Sequence, residues 1–325
     1  MSDSSSRRIA VVVNPTKFTD LALVEEQIGK VCADHGWSEP LMIETTKDDP
    51  GVSQGQQALE AGVDVVCPLG GDGTVRAVAT ALVGTDTPLG LLPGGTGNLL
   101  ARNLGLPVDD VESALAVVLT GSNRRIDVGL VQFVPDSNSE DALKGDAPET
   151  ADDPRRDDEE VFLVMAGIGV DAEVMAGTNE KVKGVLGWPA YVLAGAIRMW
   201  DKGFRVSVST GEDHGPREQH ARSVIVGNCG SLQGNLRLMP DAELDDGRLD
   251  GVILAPDGFF GWAAIAADLG SRHTRGHRSI VRMTSPRIDV VTREPVEAQI
   301  DGDAMGLQQV MSTRVLPRAL VVRVP

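Results

Sequence analysis

The residues most able to do chemistry stand in two glycine-rich stretches and one acidic turn. Gly70-Gly71-Asp72-Gly73-Thr74 follows an apolar run and opens a segment with helical spacing. Glycines in such a place let the backbone come close to phosphate oxygens, and N–H groups at a helix start attract anions. The stretch is no Walker A loop, because no Gly-Lys-Ser/Thr follows, and it lacks the G-x-G-x-x-G dinucleotide spacing. A plain strand-to-helix turn would explain the glycines; an acid among them needs a further reason, such as a metal near the phosphates within reach of Asp72. Pro93-Gly94-Gly95-Thr96-Gly97-Asn98 ends the next apolar run, and Asn14-Pro15-Thr16 ends the first. Glycine turns at the carboxyl ends of neighbouring parallel strands build one crevice, which makes a nucleotide the leading ligand. Far along the chain, Asp301-Gly302-Asp303 follows another strand-like run, and Asp301 reads either as a turn former or as a catalytic carboxylate.

These residues need elements to hold them. Arg8–Val13, Leu41–Glu44, Val63–Leu69 and Leu89–Leu92 read as strands, and Leu21–His35, Val52–Ala61, Val75–Val83 and Asp109–Leu119 as helices. Strand and helix in alternation predict a parallel sheet with helices on its faces. After Gly121 the texture changes to short strands: Arg124–Phe133, Val161–Ala166, Phe204–Ser209, Ser223–Gly227, Leu249–Leu254, Ser279–Met283, Ile288–Thr292 and Val296–Ile300. Gly, Pro or charged turns separate most of them, the pattern of an antiparallel sandwich or barrel. Helices are predicted near Val185–Trp200 and Phe259–Leu269, and Arg314–Val324 is a last apolar strand. The organisation expected is an α/β domain over 1–123, rejoined by 314–325, and a β-sandwich domain over 124–313.

Composition narrows the class. The 325 residues suggest two domains, and a net charge of −17 argues against a nucleic-acid binder. Asp136–Glu160 holds eleven acids against three bases, and residues 135–160 are expected to form a disordered, solvated insertion. Cys32, Cys67 and Cys229 are far apart, which argues against disulfides and a zinc cage and for a reducing cytoplasm. The chain shows no apolar signal core and no run of about 18 apolar residues. His273 and His277 lie four apart, but no third ligand accompanies them.

Leu92–Pro107 (Leu-Pro-Gly-Gly-Thr-Gly-Asn-Leu-Leu-Ala-Arg-Asn-Leu-Gly-Leu-Pro), taken with Gly70–Thr74, resembles the diacylglycerol kinase catalytic family, which includes soluble bacterial lipid kinases and sphingosine kinases. The likeness continues through Ile126-Asp127-Val128-Gly129, Gly167–Ala172, Pro240-Asp241-Ala242, Asp245–Asp250 and Gln299–Asp303, nearly the whole chain apart from the acidic insertion. The resemblance implies an α/β nucleotide domain like that of NAD kinase and phosphofructokinase, a β-sandwich lipid-substrate domain, and transfer of the γ-phosphate of ATP to a lipid hydroxyl. Diacylglycerol is the leading acceptor, giving phosphatidic acid; a sphingoid base or a glycolipid is the alternative. It implies ATP contacts at Asn14, Pro15, Thr16, Lys17, Thr46, Gly70, Gly71, Asp72, Gly73, Thr74, Gly95, Thr96 and Asn98. Asp301 stands where the family has its general base, supported by Asp303, with Asp72 also catalytic. Phosphoryl transfer asks mainly for positioning and charge neutralisation, and a carboxylate can take the proton of the attacking hydroxyl. A structural Mg2+ is implied at Asp246, with the carbonyls of Glu243 and Arg248, and Asp127 joins the network; an ordinary acidic turn explains the same residues equally well.

The chain departs from the family at its first loop, where Lys17-Phe18 stands in place of Ser-Gly, and at Asp303, where the family usually has Glu. Rings and cations cluster at Lys181, Lys183, Trp188, Tyr191 and Trp200, and again at Phe259, Phe260, Trp262, Arg272, His273, Arg275, His277, Arg278 and Arg282. Such patches suit transient peripheral contact with the inner face of a membrane, though a core helix with snorkelling ends has the same pattern. A homodimer is a further expectation. The competing readings are an NAD kinase, which would need Asn-Glu where Asn98-Leu99 stands, and a non-catalytic nucleotide or lipid sensor.

Overall fold

The computed structural model describes residues 7–135, 154–169, 203–211, 215–231, 237–270 and 279–325. The helix expected near Val185–Trp200 with its flanking lysines, and the basic run from Arg272 to Arg278, lie outside the described residues. The chain divides into two compact units, Met1–Ile126 with Arg318–Pro325, and Asp127–Pro317.

In the first unit β1 (Ile9–Val13), α1 (Leu21–Asp34), β2 (Leu41–Glu44), α2 (Val52–Glu60), β3 (Val65–Gly70), α3 (Asp72–Leu82) and β4 (Leu92–Pro93) alternate. Two further helices follow, α4 (Leu99–Asn103) and α5 (Val111–Thr120). The strands form a parallel sheet in the order β2-β1-β3-β4. Every residue of β1 and of β3 is buried, as the unbroken apolar runs require of strands covered on both faces. Ile9, Val11 and Leu69 pack against Ile28 and Cys32 of α1 and Leu115 and Val118 of α5. Asp20 caps α1 through the N–H of Leu23, and Asp110 caps α5 through those of Glu112 and Ser113. α3 begins at Asp72, three residues earlier than its apolar periodicity predicts, because Gly-Asp-Gly carries no periodic signal although it forms the first turn.

The second unit is built on β5 (Ser122–Val134), β6 (Glu160–Phe162), β7 (Met165–Gly169), β8 (Phe204–Thr210), β9 (Arg217–Ala221) and β10 (Ser223–Gly227). It continues through β11 (Leu249–Leu254), α6 (Gly258–Gly270), β12 (Ile280–Ser285), β13 (Arg287–Ile300) and β14 (Asp303–Val324). Ten strands run in the order β12-β11-β10-β7-β13-β14-β5-β6, with β8 on β13 and β9 on β8. Phe162 on β6, at one end of that order, shares an apolar cluster with Leu249 and Ile253 on β11, near the other end. The antiparallel sheet therefore closes over itself as a sandwich.

Four expectations need correction here. Val161–Ala166 is not one strand: β6 ends at Phe162 and β7 starts at Met165. Residues 287–300 are one strand with a register shift between Val291 and Val296, not two strands. The acidic insertion of 135–160 is not solvated to its end. Glu159 is buried and paired with Arg314 through bonds of 2.6 and 2.7 Å, Arg156 donates its N–H to the same carboxylate, and Glu160 opens β6. The expected return of 314–325 to the first unit starts at Arg318, because Arg314 is held in the second by that pair. Val322 then bridges Leu89 in parallel.

Candidate functional site

Each parallel strand of the first unit carries one of the predicted loops at its carboxyl end. After β1, the Asn14 N–H donates to the Leu69 carbonyl at 3.0 Å. The Asn14 Oδ1 accepts the Thr16 N–H at 3.1 Å and the Thr16 hydroxyl at 2.7 Å, capping a single 3-10 turn over Pro15–Lys17. Lys17 is exposed. After β2, Thr45 is buried, and the Thr46 hydroxyl accepts the Asp49 N–H at 3.1 Å to close a turn. After β3 comes Gly70–Thr74, and after β4 Gly94–Asn98. Chain order reverses between β1 and β3, and at that switch point an open α/β sheet offers its ligand crevice.

The glycines are needed for more than a ligand. A Cβ on Gly94 would stand 2.5 Å from the Gly70 nitrogen, and one on Gly95 would stand 2.7 Å from the Gly71 Cα. The two loops thus stack backbone on backbone. Asp72 joins them: its Oδ1 accepts the Leu99 N–H at 2.8 Å, and its Oδ2 lies against Gly97. This bond supplies the further reason for an acid among the glycines, and a metal is not required to explain it. Asn98, in the left-handed region at φ 47°, closes its own loop with Nδ2 on the Gly95 carbonyl at 2.9 Å and Oδ1 on the Gly95 N–H at 3.3 Å. Thr74 is buried, with its side chain where a Cβ on Gly70 would be; Thr96 is exposed. Gly71 is different: among the described residues nothing lies within 4 Å of a Cβ built there, and no described side chain caps α3. An 11-residue helix thus starts beside open space at Gly71, without a side-chain cap, at the switch point, and a helix start favours an anion.

In the second unit Asp301 and Gly302 form the two-residue turn between β13 and β14, with φ of 48° and 93° and Ile300 paired to Asp303. This is the geometry of a type I′ hairpin, so the turn-former reading is correct as far as it goes. Yet the side chain does more. Its Oδ2 accepts the Leu163 N–H, and its Oδ1 those of Val164 and Met165, all at 2.9 Å. Leu163 and Val164 are the gap between β6 and β7, and Asp301 takes the N–H groups that a continuous strand would have given to a ladder. Gln299 holds the turn from behind, its Oε1 accepting the Gly302 N–H at 2.8 Å. Asp303 is exposed at the start of β14. Beside this carboxylate, burial and then the charge of Asp301 push the Cys229 thiol up, so it stays a protonated core residue.

The acids of the implied cation site come together in part. Asp127 on β5 donates its N–H to the Leu244 carbonyl at 2.7 Å, and its Oδ2 accepts the Gly247 N–H at 2.6 Å. It therefore pins the Glu243–Arg248 loop. Asp246 closes a tight turn by accepting the Arg248 N–H at 2.9 Å, as the ordinary-turn reading expects. Burial pushes the nearby Asp250 carboxyl up; the Thr284 hydroxyl opposes this, and the charges of Asp246 and Asp241 add to it. Among the described residues no three His, Cys, Asp or Glu side chains converge on one point, so a cation here would rest on Asp246, main-chain carbonyls and water. A set of hard oxygens in an acid-rich loop fits Mg2+ chemically.

Sequence reasoning gave no site role to Asn228, Cys229 or Gln299 and missed the Leu163–Val164 gap. The one signal available was an amide side chain inside or just after an apolar strand, at Gln299 and Asn228.

Comparison with known proteins follows the same division. Residues 8–131 match the diacylglycerol kinase catalytic domain, and residues 163–324 match the YegS C-terminal NAD kinase beta sandwich-like domain. A Pseudomonas aeruginosa (strain UCBPP-PA14) protein described as "Probable lipid kinase YegS-like" is 30% identical over 309 residues, 93% of this chain and 90% of that one. The chain belongs to the diacylglycerol kinase catalytic-domain family. An Enterobacter sp. (strain 638) protein of the same description is 27% identical over 275 residues, covering 83% of this kinase and 81% of its own length. A crystal structure from Bacillus anthracis str. Sterne shares the fold with a TM-score of 0.75 at 21% identity, covering 100% of this chain and 99% of that one.

Proposed function

We propose that this lipid kinase transfers the γ-phosphate of ATP to a lipid hydroxyl, with diacylglycerol as acceptor and phosphatidic acid as product. The observation that carries the reading is the open, uncapped start of α3 beside Gly71, at the switch point of a parallel sheet. Main-chain N–H groups of Gly71–Thr74 hold the polyphosphate there, with Asn14–Lys17 and Gly95–Asn98 as the flanking walls. Mg2+ bound with the nucleotide would supply neutralisation of phosphate charge. Asp301 orients the acceptor hydroxyl and takes its proton, and Asp303 supports it. Three N–H donors fix the Asp301 carboxylate in place, as a base needs to be before the alcohol arrives. The Asp246 loop, with the carbonyls of Glu243 and Arg248, would hold a structural Mg2+ that keeps Asp127 and its neighbours in place. The lipid is reached by peripheral contact with a membrane; among the described residues no helix is long and apolar enough to cross one.

The test is γ-labelled ATP offered to a panel of lipid alcohols in mixed micelles. Label in phosphatidic acid is the expected outcome. Label in a sphingoid base or a glycolipid would change the acceptor, label in NAD would change the class, and nucleotide binding without transfer to any acceptor would replace the kinase reading by a sensor.

A further inference from the structure

We infer that Asn228 is a positioning residue that couples the Asp301 carboxylate to the acidic loop of Asp127 and Gly247. The inference rests on the reading of Asp301 as the base. Asn228 follows β10 directly and is buried, with 1% of its surface exposed. Its main-chain N–H donates to the Val164 carbonyl at 2.9 Å, and the Val164 N–H in turn donates to Asp301 Oδ1. Its side-chain Nδ2 donates to the Asp127 carbonyl at 2.9 Å. Asp127 then holds the loop through Leu244 and Gly247. The next residue, Cys229, closes a parallel path, with its Sγ 3.4 Å from the Leu163 carbonyl, whose N–H also goes to Asp301. Two acids 174 positions apart in sequence are thus joined by a short chain of hydrogen bonds, in which Asn228 supplies the side-chain link.

The side chain is an unusual choice for a purely structural link. Its Oδ1 is buried and has no hydrogen-bond partner among the described residues. A buried acceptor left without a donor costs about 1–3 kcal/mol, so an apolar residue there would be cheaper if packing alone mattered. The Asp127 carbonyl demands a donor from this direction, and an amide provides one without adding charge to a buried position. A carboxylate would lack the donor, and a lysine would bury a cation.

Asn228→Asp keeps the shape and removes the donor. The expected result is a kcat lower by about 10- to 100-fold with the KM for ATP unchanged, since a displaced base slows the transfer without touching the phosphate loops. Amide exchange in 160–169 and in 243–248 is expected to quicken together. A kcat per folded molecule equal to that of the parent, with only the melting temperature lowered, would overturn the inference and leave Asn228 as packing. If Asn228→Asp does not fold, Asn228→Ala carries the test: it removes the amide donor without adding a charge, and a lowered kcat with unchanged KM is expected, whereas the parent kcat overturns the coupling. Asp301→Asn, assayed beside them, separates the two ideas. Full activity in that variant removes the base and the inference with it, while an inactive Asp301→Asn with a fully active Asn228→Asp removes the inference alone.

Discussion

Asp301 carries two loads that a substitution separates only in part. It is the first residue of a type I′ turn and the acceptor for three main-chain N–H groups more than 130 residues earlier. Changing it to Asn turns one carboxylate oxygen into a donor that must face an N–H of the 163–165 segment. Turnover is expected to fall by about 10²- to 10⁴-fold, the usual contribution of a general base. Stability is expected to fall with it, by about 1–3 kcal/mol, because a buried N–H loses its acceptor. Steady-state rates set beside urea melts of the same preparation check both. A variant as stable as the parent would show that the three N–H bonds matter less than their geometry suggests. Asp301 was legible in sequence as an Asp-Gly after a strand; its partners were not, since Leu163-Val164-Met165 is an apolar stretch with no punctuation and the demand on its N–H groups comes from another strand.

At the scale of elements, the glycine loops were visible but the reason for each glycine was not. Gly94 and Gly95 are small because the β3 loop lies against them, and Gly71 is small beside open space. The two kinds of glycine make opposite predictions. Gly94→Ala drives a Cβ into the Gly70 backbone and is expected to cost about 1–3 kcal/mol of stability, as overpacking does. Gly71 has φ −83°, which alanine adopts without strain, so Gly71→Ala is expected to melt with the parent. If the polyphosphate sits at α3, the same methyl raises the KM for ATP by about tenfold, the loss of one helix-terminus contact. Thermal melts and ATP titrations of the two variants check this; an unchanged KM in Gly71→Ala would move the nucleotide elsewhere. The short α4 escaped the periodicity because Leu99–Asn103 is barely more than one turn, and its first N–H is satisfied by Asp72 rather than by a local cap.

For the whole molecule, the end of the acidic stretch decides how the second unit is closed. Glu159 and Arg314 bury a bidentate ion pair, with Arg314 also donating to the Pro154 carbonyl at 3.0 Å. Burial alone would raise the Glu159 carboxyl; the bonds and charge of Arg314, with the Arg156 N–H, outweigh it and hold the carboxyl below its ordinary 4.5. A carboxyl lowered in the fold stabilises the protein above its unfolded value and loses that contribution as the pH falls through the folded one. Stability from this pair is therefore expected to be level at neutral pH and to fall away below 4.5, and Glu159→Gln should flatten that acid limb. Arg314→Met leaves a buried charge without its partner and is expected to cost about 3–5 kcal/mol, measured by denaturant unfolding at neutral pH. A loss no larger than that of an exposed pair would mean that water reaches Glu159.

Local order was within reach of the sequence wherever the physics is local. Alternation of apolar runs with helical spacing set the parallel sheet, short punctuated strands set the antiparallel one, and Gly-Gly-Asp-Gly-Thr and Asp-Gly-Asp marked the chemistry-bearing turns. The tertiary structure decided what those patterns leave open. It broke an apolar run at Leu163 because Asp301 claimed its N–H groups, tied Asp72 to Leu99 across two loops, and drew Glu159 out of a run of acids into the core. In each case the deciding partner is remote in the chain, and hydrogen-bond demand across a fold leaves no periodicity for a sequence to display.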